Sequence, residues 1–491
     1  MNEVRTLAKQ TLIYGFGTIV PRFLNYGILA IFYTRFFEKA EYGVVTELYA
    51  WMVLLLIVLT YGMETGFFRF AQNKEDYEKV YSTSLISLFL TSILFLVLVN
   101  VFIKPVSSAL NYSGHQDYIR MFAAIVAIDA FSAIPFARLR KENRPIIFSI
   151  IKIMNVIITI IAVLFLLVIA PGIYEKSNGW FKEIYNPDYR VGYVFVANLI
   201  GSGATLLMLL PFIIKIKPVF DKFIWLRMAG YSFPLMIAGL AGSINDTLDK
   251  VIMRRVVGEE NGLEMVGEYG AGYKIAVLMA LFIQMFRFAA EPFFFERAKQ
   301  SNAKETYAFV MKYFVIIMLI VYLAINLFLP GIQLIIGRDF REAIIIVPIV
   351  SMGYLLYGIY VNHSIWYKLN DLTRFGVYII LVGAVITILM NVFLIPVFGY
   401  MASAWAHVAS YSAMIILSFV FARNHYKIDY NMKALIPYFC LAVLMVLFSQ
   451  LFNYKNLASE LIINSILFFL FILFSQCRDK LLTLLLRKEH R

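Results

Sequence analysis

Charge is scarce in this chain. Of its 491 residues only 15% are Asp, Glu, Lys or Arg, against 61% apolar, and the mean hydropathy is +0.77. A soluble globule carries about 25% charged residues, so a water-facing surface cannot be assembled from what is present. Cysteine is scarcer still: Cys440 and Cys477 are the only two, which excludes a disulfide framework. The five histidines are scattered and none pairs at the spacing of a zinc-binding HExxH helix. His407, inside an apolar run, reads as an interior packing residue. The first apolar run is too long for a cleavable signal peptide and lacks a small-residue cleavage pattern, so it is expected to act as the first span. In the glycine-rich stretch Gly267–Lys274 the lysine stands one place out of register for a Walker loop and no strand precedes it. No cofactor is implied, and any energy for pumping is expected from an ion gradient, the membrane potential or the substrate gradient.

What is present is hydrophobic length. Apolar stretches of about 20 residues recur fourteen times, from 11–33 to 457–476, separated by short polar connections. Spanning segments must satisfy their own backbone, and runs this long and continuous are helices and not the alternating strands of a barrel. The fold class is therefore all-α, a polytopic membrane protein. The formal net charge of +13 does not point to nucleic acid, because the basic residues sit in short loops and not on one face. Those loops are unequal. Connections on the side of the N-terminus hold 26 Lys and Arg, and the opposite side 12, which predicts that both termini are cytoplasmic. Outer connections are short, the longest running from Pro171 to Arg190, so no extracytoplasmic catalytic domain fits and the chain is not expected to be an enzyme.

An internal repeat organises these spans. Glu41-Tyr42-Gly43 matches Glu268-Tyr269-Gly270 at an offset of 227, and Glu64, Phe67, Phe68 and Ala71 match Glu291, Phe294, Phe295 and Ala298 at the same offset. Upstream the register shifts by seven, so that Asn25 and Arg35 fall on Asn245 and Arg255. Two six-helix copies follow, an N-lobe over residues 1–215 and a C-lobe over 216–425, with two further helices and a tail over 426–491. An even number of spans gives both copies the same orientation, which leads to the expectation of a cavity between lobes and of alternating access.

Polar side chains that lipid would reject are the candidates for binding. On the first span Gly15, Thr18, Arg22 and Asn25 make one stripe, and a guanidinium near mid-bilayer needs water, a carboxylate or an anion. Pairing of Arg22 with Asp129 or Asp249 is the structural alternative. Lys152 and Asn155 share a face in the fifth span. Asp249 and Lys250 stand at the outer end of the seventh, where a solvated pair is the plainer reading. The eighth span carries Lys274, Gln284, Arg287 and Glu291. Lys274 could snorkel, and Arg287 could pair with Glu291 one turn away. Tyr354, Tyr357 and Tyr360 could stack on sugars or simply pack.

The run Asn391-Val-Phe-Leu-Ile-Pro396, then Gly399 and Ala402-Ser-Ala-Trp-Ala406, is similar to the eleventh-to-twelfth span signature of bacterial polysaccharide flippases, the carriers of O-antigen or capsule repeat units. Asn245-Asp-Thr-Leu-Asp249 with Gly267-Glu-Tyr-Gly270 resembles that family's seventh-to-eighth segment, and Glu41-Tyr-Gly43 its first loop. The resemblance covers the whole chain. It implies two six-helix lobes plus two helices, and movement of an undecaprenyl-pyrophosphate-linked oligosaccharide to the outer leaflet of the bacterial inner membrane. It further implies that Arg22, Lys274 and Arg287 lie at the pyrophosphate; Asn25, Lys152 and Asp249 are substrate-binding candidates from their polar character within the spans. Expected partners are that glycolipid, membrane lipid, a glycan polymerase and export machinery, with the chain itself a monomer. A cation-coupled multidrug exporter shares the plan, but usually has twelve spans and an acidic interior; a lipid II flippase is a nearer alternative.

Overall fold

The computed structural model describes residues 17, 20, 21, 23–72, 75–177, 179–298, 300–370, 372–452 and 456–479. Every element among them is helical. In chain order they are α1 (Gly27–Phe36), α2 (Lys39–Phe70), α3 (Tyr77–Val101), α4 (Gln116–Lys141), α5 (Pro145–Lys176), α6 (Phe181–Ile214) and α7 (Lys222–Val257). Then come α8, in two segments (Glu259–Ala276 and Leu278–Arg297), α9 (Ala303–Leu327), α10 (Arg338–Leu369), α11 (Thr373–Phe398), α12 (Tyr400–His425), α13 (Met432–Leu451) and α14 (Leu457–Asp479). Thirteen helices among the described residues, α2 to α14, are long and apolar enough to cross a membrane. Each overlaps one expected span; the remaining span, 11–33, lies mostly outside the described residues, and α1 is its visible end.

One of these helices, α3, turns apolar residues outward and hydroxyl residues inward, unlike a helix of a soluble protein. On α3 the exposed positions include Phe89, Leu90, Leu94, Val97 and Val101, whereas Ser82, Thr83, Ser84, Ser87 and Ser92 are buried. Lipid is as apolar as leucine and does not drive leucine inward, so helices associate through small and hydroxyl side chains. The hydroxyls of α3 are used in this way. Ser82 Oγ accepts from Val219 N at 2.7 Å, Thr83 Oγ1 from Asp221 N at 3.1 Å, and Ser87 Oγ from Trp225 Nε1 at 2.6 Å. Together they pin the entry of α7, which Asp221 caps by accepting from Phe223 N and Ile224 N. α7 has 36 residues. At 1.5 Å per residue it is about 54 Å long, well beyond a hydrocarbon core of about 30 Å.

Packing divides the chain into two units. The first takes Ala40–Val266, with the described residues before Ala30; the second takes Ala30–Lys39 and the described residues from Gly267 onward. These cuts differ from the lobe boundaries drawn on sequence similarity. α7 opens the second sequence copy yet packs in unit 1, where Gly62, at φ 70°, leaves no room for a side chain beside the Ser232 carbonyl. The end of α1 closes the first helix of the first copy yet packs in unit 2. The repeat pair Arg35 and Arg255 shows the exchange. Arg255 Nη2 donates to Ala109 O at 2.7 Å, beyond α3, while Arg35 donates to Leu334 O and Ile335 O at 2.8 and 2.9 Å, beyond α9. In unit 2, α13 and α14 pack on α9, tied by Asn464 Nδ2 to Leu327 O at 2.8 Å and by Asp479, which accepts from Lys312 and Tyr438.

Candidate functional site

Arg22 lies outside the described residues; Asn25 opens a π-helical turn, Asn25–Leu29, and its side chain is likewise outside them. Lys152, half-buried on α5, places its ammonium 4.0 Å from the centre of the Phe136 ring. One turn on, Asn155 Nδ2 donates to Thr205 Oγ1 at 2.9 Å, and Asp129 accepts from Ser202 within the field of Lys152. This polar seam crosses α4, α5 and α6 inside unit 1. Asp249 is 1% exposed and bonds the Lys250 ammonium at 2.9 Å, with Lys250 also donating to Asp246 O at 3.1 Å. The pair is buried, not solvated as the plainer reading of the sequence had it.

Lys274 and Arg287 both stand on α8, in unit 2. They are 13 residues apart, about 20 Å along a helix axis, and the helix is interrupted at Val277. One phosphate group cannot touch both. Lys274 is half-buried, whereas the Arg287 side chain is 48% exposed, with Nε 3.8 Å from Glu291 Oε1. Of the described candidates, Lys152 and Asp249 belong to unit 1, and Lys274 and Arg287 belong to unit 2, where they stand at different levels of α8.

A buried charge cluster in unit 1 was missed by the sequence reading. Glu47 on α2 is fully buried and pairs with Arg254 of α7, itself 4% exposed. Tyr112 donates to Glu47 Oε2 at 2.7 Å, and its ring lies 4.3 Å from the guanidinium. Arg254 also donates to Leu110 O and Asn111 O at 3.2 and 2.9 Å. Burial first, and the Glu47 charge second, raise the Tyr112 hydroxyl well above the usual tyrosine range, so it remains a donor. A signal for this cluster was available. Glu47 is an acidic residue within a span, and at the offset of 227 it falls on Lys274.

The repeat glutamates mark a second feature. In unit 1, Glu64 pairs with Arg140 at the end of α4; in unit 2, Glu291 pairs with Lys368, at the end of α10, at 2.7 Å. Arg140 and Lys368 are 228 apart, so the ion pair itself is repeated. Nearby, Phe67 meets Tyr81 edge-on and Phe294 meets Tyr307 edge-on. The two copies differ in what surrounds the pair. Unit 2 has a small pocket of about 10 Å³, room for one water, lined by Arg287, Glu291, Asn362, Ser364 and Lys368 with Phe286. In unit 1 the corresponding positions are Thr60, whose hydroxyl bonds back to Leu56 O, and Ile134, fully buried in an apolar cluster with Met63, Phe67 and Met228. Among the described residues no group of acidic, histidine or cysteine side chains is arranged to hold a metal ion.

A family model described as polysaccharide biosynthesis protein matches residues 7–297, more than half of the chain. The chain belongs to the polysaccharide biosynthesis protein family. This places it among the flippases and transporters of the multidrug/oligosaccharidyl-lipid/polysaccharide exporter superfamily. The fold agrees. It is similar to a lipid II flippase, MurJ, in an inward closed conformation, with a TM-score of 0.73, 14% identity, and coverage of 95% of this chain and 98% of that one. An inward-facing multidrug resistance MATE family transporter of the MOP superfamily gives a TM-score of 0.64 at 15% identity over 82% of this chain and 94% of its own. A MATE transporter in complex with MaD3S gives 0.60 at 16% over 85% and 95%. No curated protein matches the sequence.

Proposed function

We propose that this polysaccharide biosynthesis protein flips an undecaprenyl-pyrophosphate-linked oligosaccharide repeat unit from the inner to the outer leaflet of a bacterial cytoplasmic membrane, by alternating access. The observation that carries this reading is the family match, which ties a chain of membrane-crossing helices to polysaccharide assembly. Basic side chains within those helices support it. Lys152, Lys274 and Arg287, and by position Arg22, are costly in lipid and suit a diphosphate that sheds water on crossing. Asn25 and Asp249 would complete the polar lining. The glycan would travel in water and the polyprenyl tail in lipid. The charge count puts both termini in the cytoplasm, and a polymerase and export machinery would take the glycan onward from a monomeric carrier.

The test is depletion in the native cell, with lipid-linked oligosaccharides quantified by mass spectrometry. Accumulation of one complete repeat unit, with loss of surface glycan, is expected. Unchanged lipid-linked glycans together with altered resistance to cationic dyes would overturn the reading in favour of drug export. Lipid II transport is the second reading, favoured by the likeness in fold to a lipid II flippase over 95% of the chain. Rescue of a strain lacking its own lipid II flippase would select it.

A further inference from the structure

Two connections at one end of unit 1, α4–α5 and α6–α7, meet where Arg138 donates to Phe212 O at 3.4 Å, and each carries four basic residues. In the first the cations are matched. Arg138 and Arg144 pair with Glu142, Arg140 pairs with Glu64, and Lys141 donates to Gln72 Oε1 at 3.0 Å. In the second, Lys215, Lys217, Lys222 and Arg227 are all exposed, and among the described residues none has a carboxylate partner. Asp221, the acidic residue between them, is occupied in capping α7. The same stretch turns large apolar side chains outward: Ile214 is 73% and Phe223 80% exposed, with Val219, Phe220 and Leu226 also exposed. This is not slack chain. The hydroxyls of α3 hold its backbone, with Tyr81 donating to Phe212 O at 3.0 Å and Ser82 Oγ accepting from Val219 N at 2.7 Å.

We infer that the α6–α7 connection is a binding surface for anionic phospholipid. Cations without partners call for anions from outside the chain, and exposed phenylalanines call for hydrocarbon; the boundary between headgroups and acyl chains supplies both. Phe223, Leu226, Phe233 and Ile237 are exposed at steps of three, seven and four residues, so the apolar side of the connection runs into one outward face of α7. That continuity favours lipid over an acidic protein. Phe220 and Phe223 enter the boundary, and the three lysines and Arg227 hold lipid phosphates beside it. The loop-charge count puts this end at the cytoplasmic leaflet, whose lipids carry the negative charge. Seating it there fixes the depth of a helix longer than the membrane core. The inference goes beyond the transport reading and does not depend on it.

The experiment uses the full chain in vesicles of phosphatidylcholine and phosphatidylglycerol. With Cys440 and Cys477 replaced by Ser, a nitroxide on Phe223→Cys should be reached by oxygen and shielded from a water-soluble nickel chelate. A nitroxide on Gly114→Cys, an exposed site with open space around it, should show the reverse. In detergent, phosphatidylglycerol is expected to raise Tm at concentrations where phosphatidylcholine does not. Lys215→Gln, Lys217→Gln and Lys222→Gln together should weaken phosphatidylglycerol binding about a hundredfold, near fivefold for each charge, and leave Tm without lipid unchanged. The same loss of charge at Lys104, Lys176 and Lys182, in other connections, should leave binding as in the wild type. Equal binding by the first triple variant and the wild type, or equal weakening in both triple variants, overturns the inference. Binding of undecaprenyl phosphate alone overturns it too, in favour of a carrier-lipid site. A nitroxide at 223 open to the chelate, with binding of poly-glutamate, assigns the surface to an acidic protein instead.

Discussion

Unit 1 and unit 2 carry the same frame and use it differently. Each has a repeat glutamate at the end of its α2-type helix paired with a basic residue on the next-but-one helix, Glu64 with Arg140 and Glu291 with Lys368. Each has an aromatic pair beside it. Around that frame unit 1 is closed with isoleucine, methionine and phenylalanine, while unit 2 keeps an amide, a guanidinium and a pocket. At the other end of the same helices the polarity is reversed. Unit 1 buries Glu47 against Arg254 and Tyr112, and unit 2 has Lys274 at the matching position. Repetition thus supplies a scaffold, and divergence at a few positions gives one unit a buried charge clasp and the other a half-exposed group of polar and charged side chains.

The sharpest way to break this contrast is at the clasp. Glu47→Ala strands the Arg254 charge in the interior, and removing one partner of a buried pair costs about 3–5 kcal/mol. A large fall in Tm in detergent is expected, whereas Lys274→Ala at the matching position should lower transport and leave Tm nearly unchanged. Glu47→Leu combined with Arg254→Met should recover most of the stability, because two apolar residues leave no charge unpaired. Equal Tm for Glu47→Ala and wild type would remove the distinction between clasp and surface.

A smaller effect is expected from Tyr112→Phe, which deletes one hydrogen bond to a buried carboxylate and should cost about 1.5–3 kcal/mol. The raised Tyr112 hydroxyl also fixes a pH limit. Its folded value lies above the ordinary 10.0, so its contribution is complete below pH 10 and declines as pH rises from there toward the folded value. A Tm profile that drops between pH 7 and 9 in wild type, and not in Tyr112→Phe, would contradict this.

The smallest stability effects belong to the repeated ion pairs. Both are partly exposed, where such pairs contribute about 0–1 kcal/mol. Arg140→Ala and Lys368→Ala should therefore unfold at nearly the wild-type temperature, but only Lys368→Ala should depress glycan export in cells. Equal loss of export from both would show that the pocket of unit 2 has no special part.

Much of the fold was legible in the sequence because hydrocarbon imposes a one-dimensional rule. Among the described residues thirteen of the fourteen apolar runs carry a helix long enough to cross a membrane, and α1 is the described end of the other, since a span must satisfy its own backbone whatever surrounds it. The repeat was legible through Glu64 and Glu291. Their partners were not, because Arg140 and Lys368 match only at an offset shifted by one and differ in residue type. Glu47 was passed over because a single carboxylate in a span discloses its partner only when the helices are assembled, and Arg254 is 207 residues away.

Composition, run length and loop charge by themselves determined that this chain is all-α and crosses a membrane many times, since burial in lipid depends on each segment's own residues. Tertiary structure alone decided which charges are spent on holding the protein together. An arginine costs the same to place in a span whether it meets a glutamate or a phosphate, and only packing reveals that Arg254 has its carboxylate while Arg287 has one just out of reach.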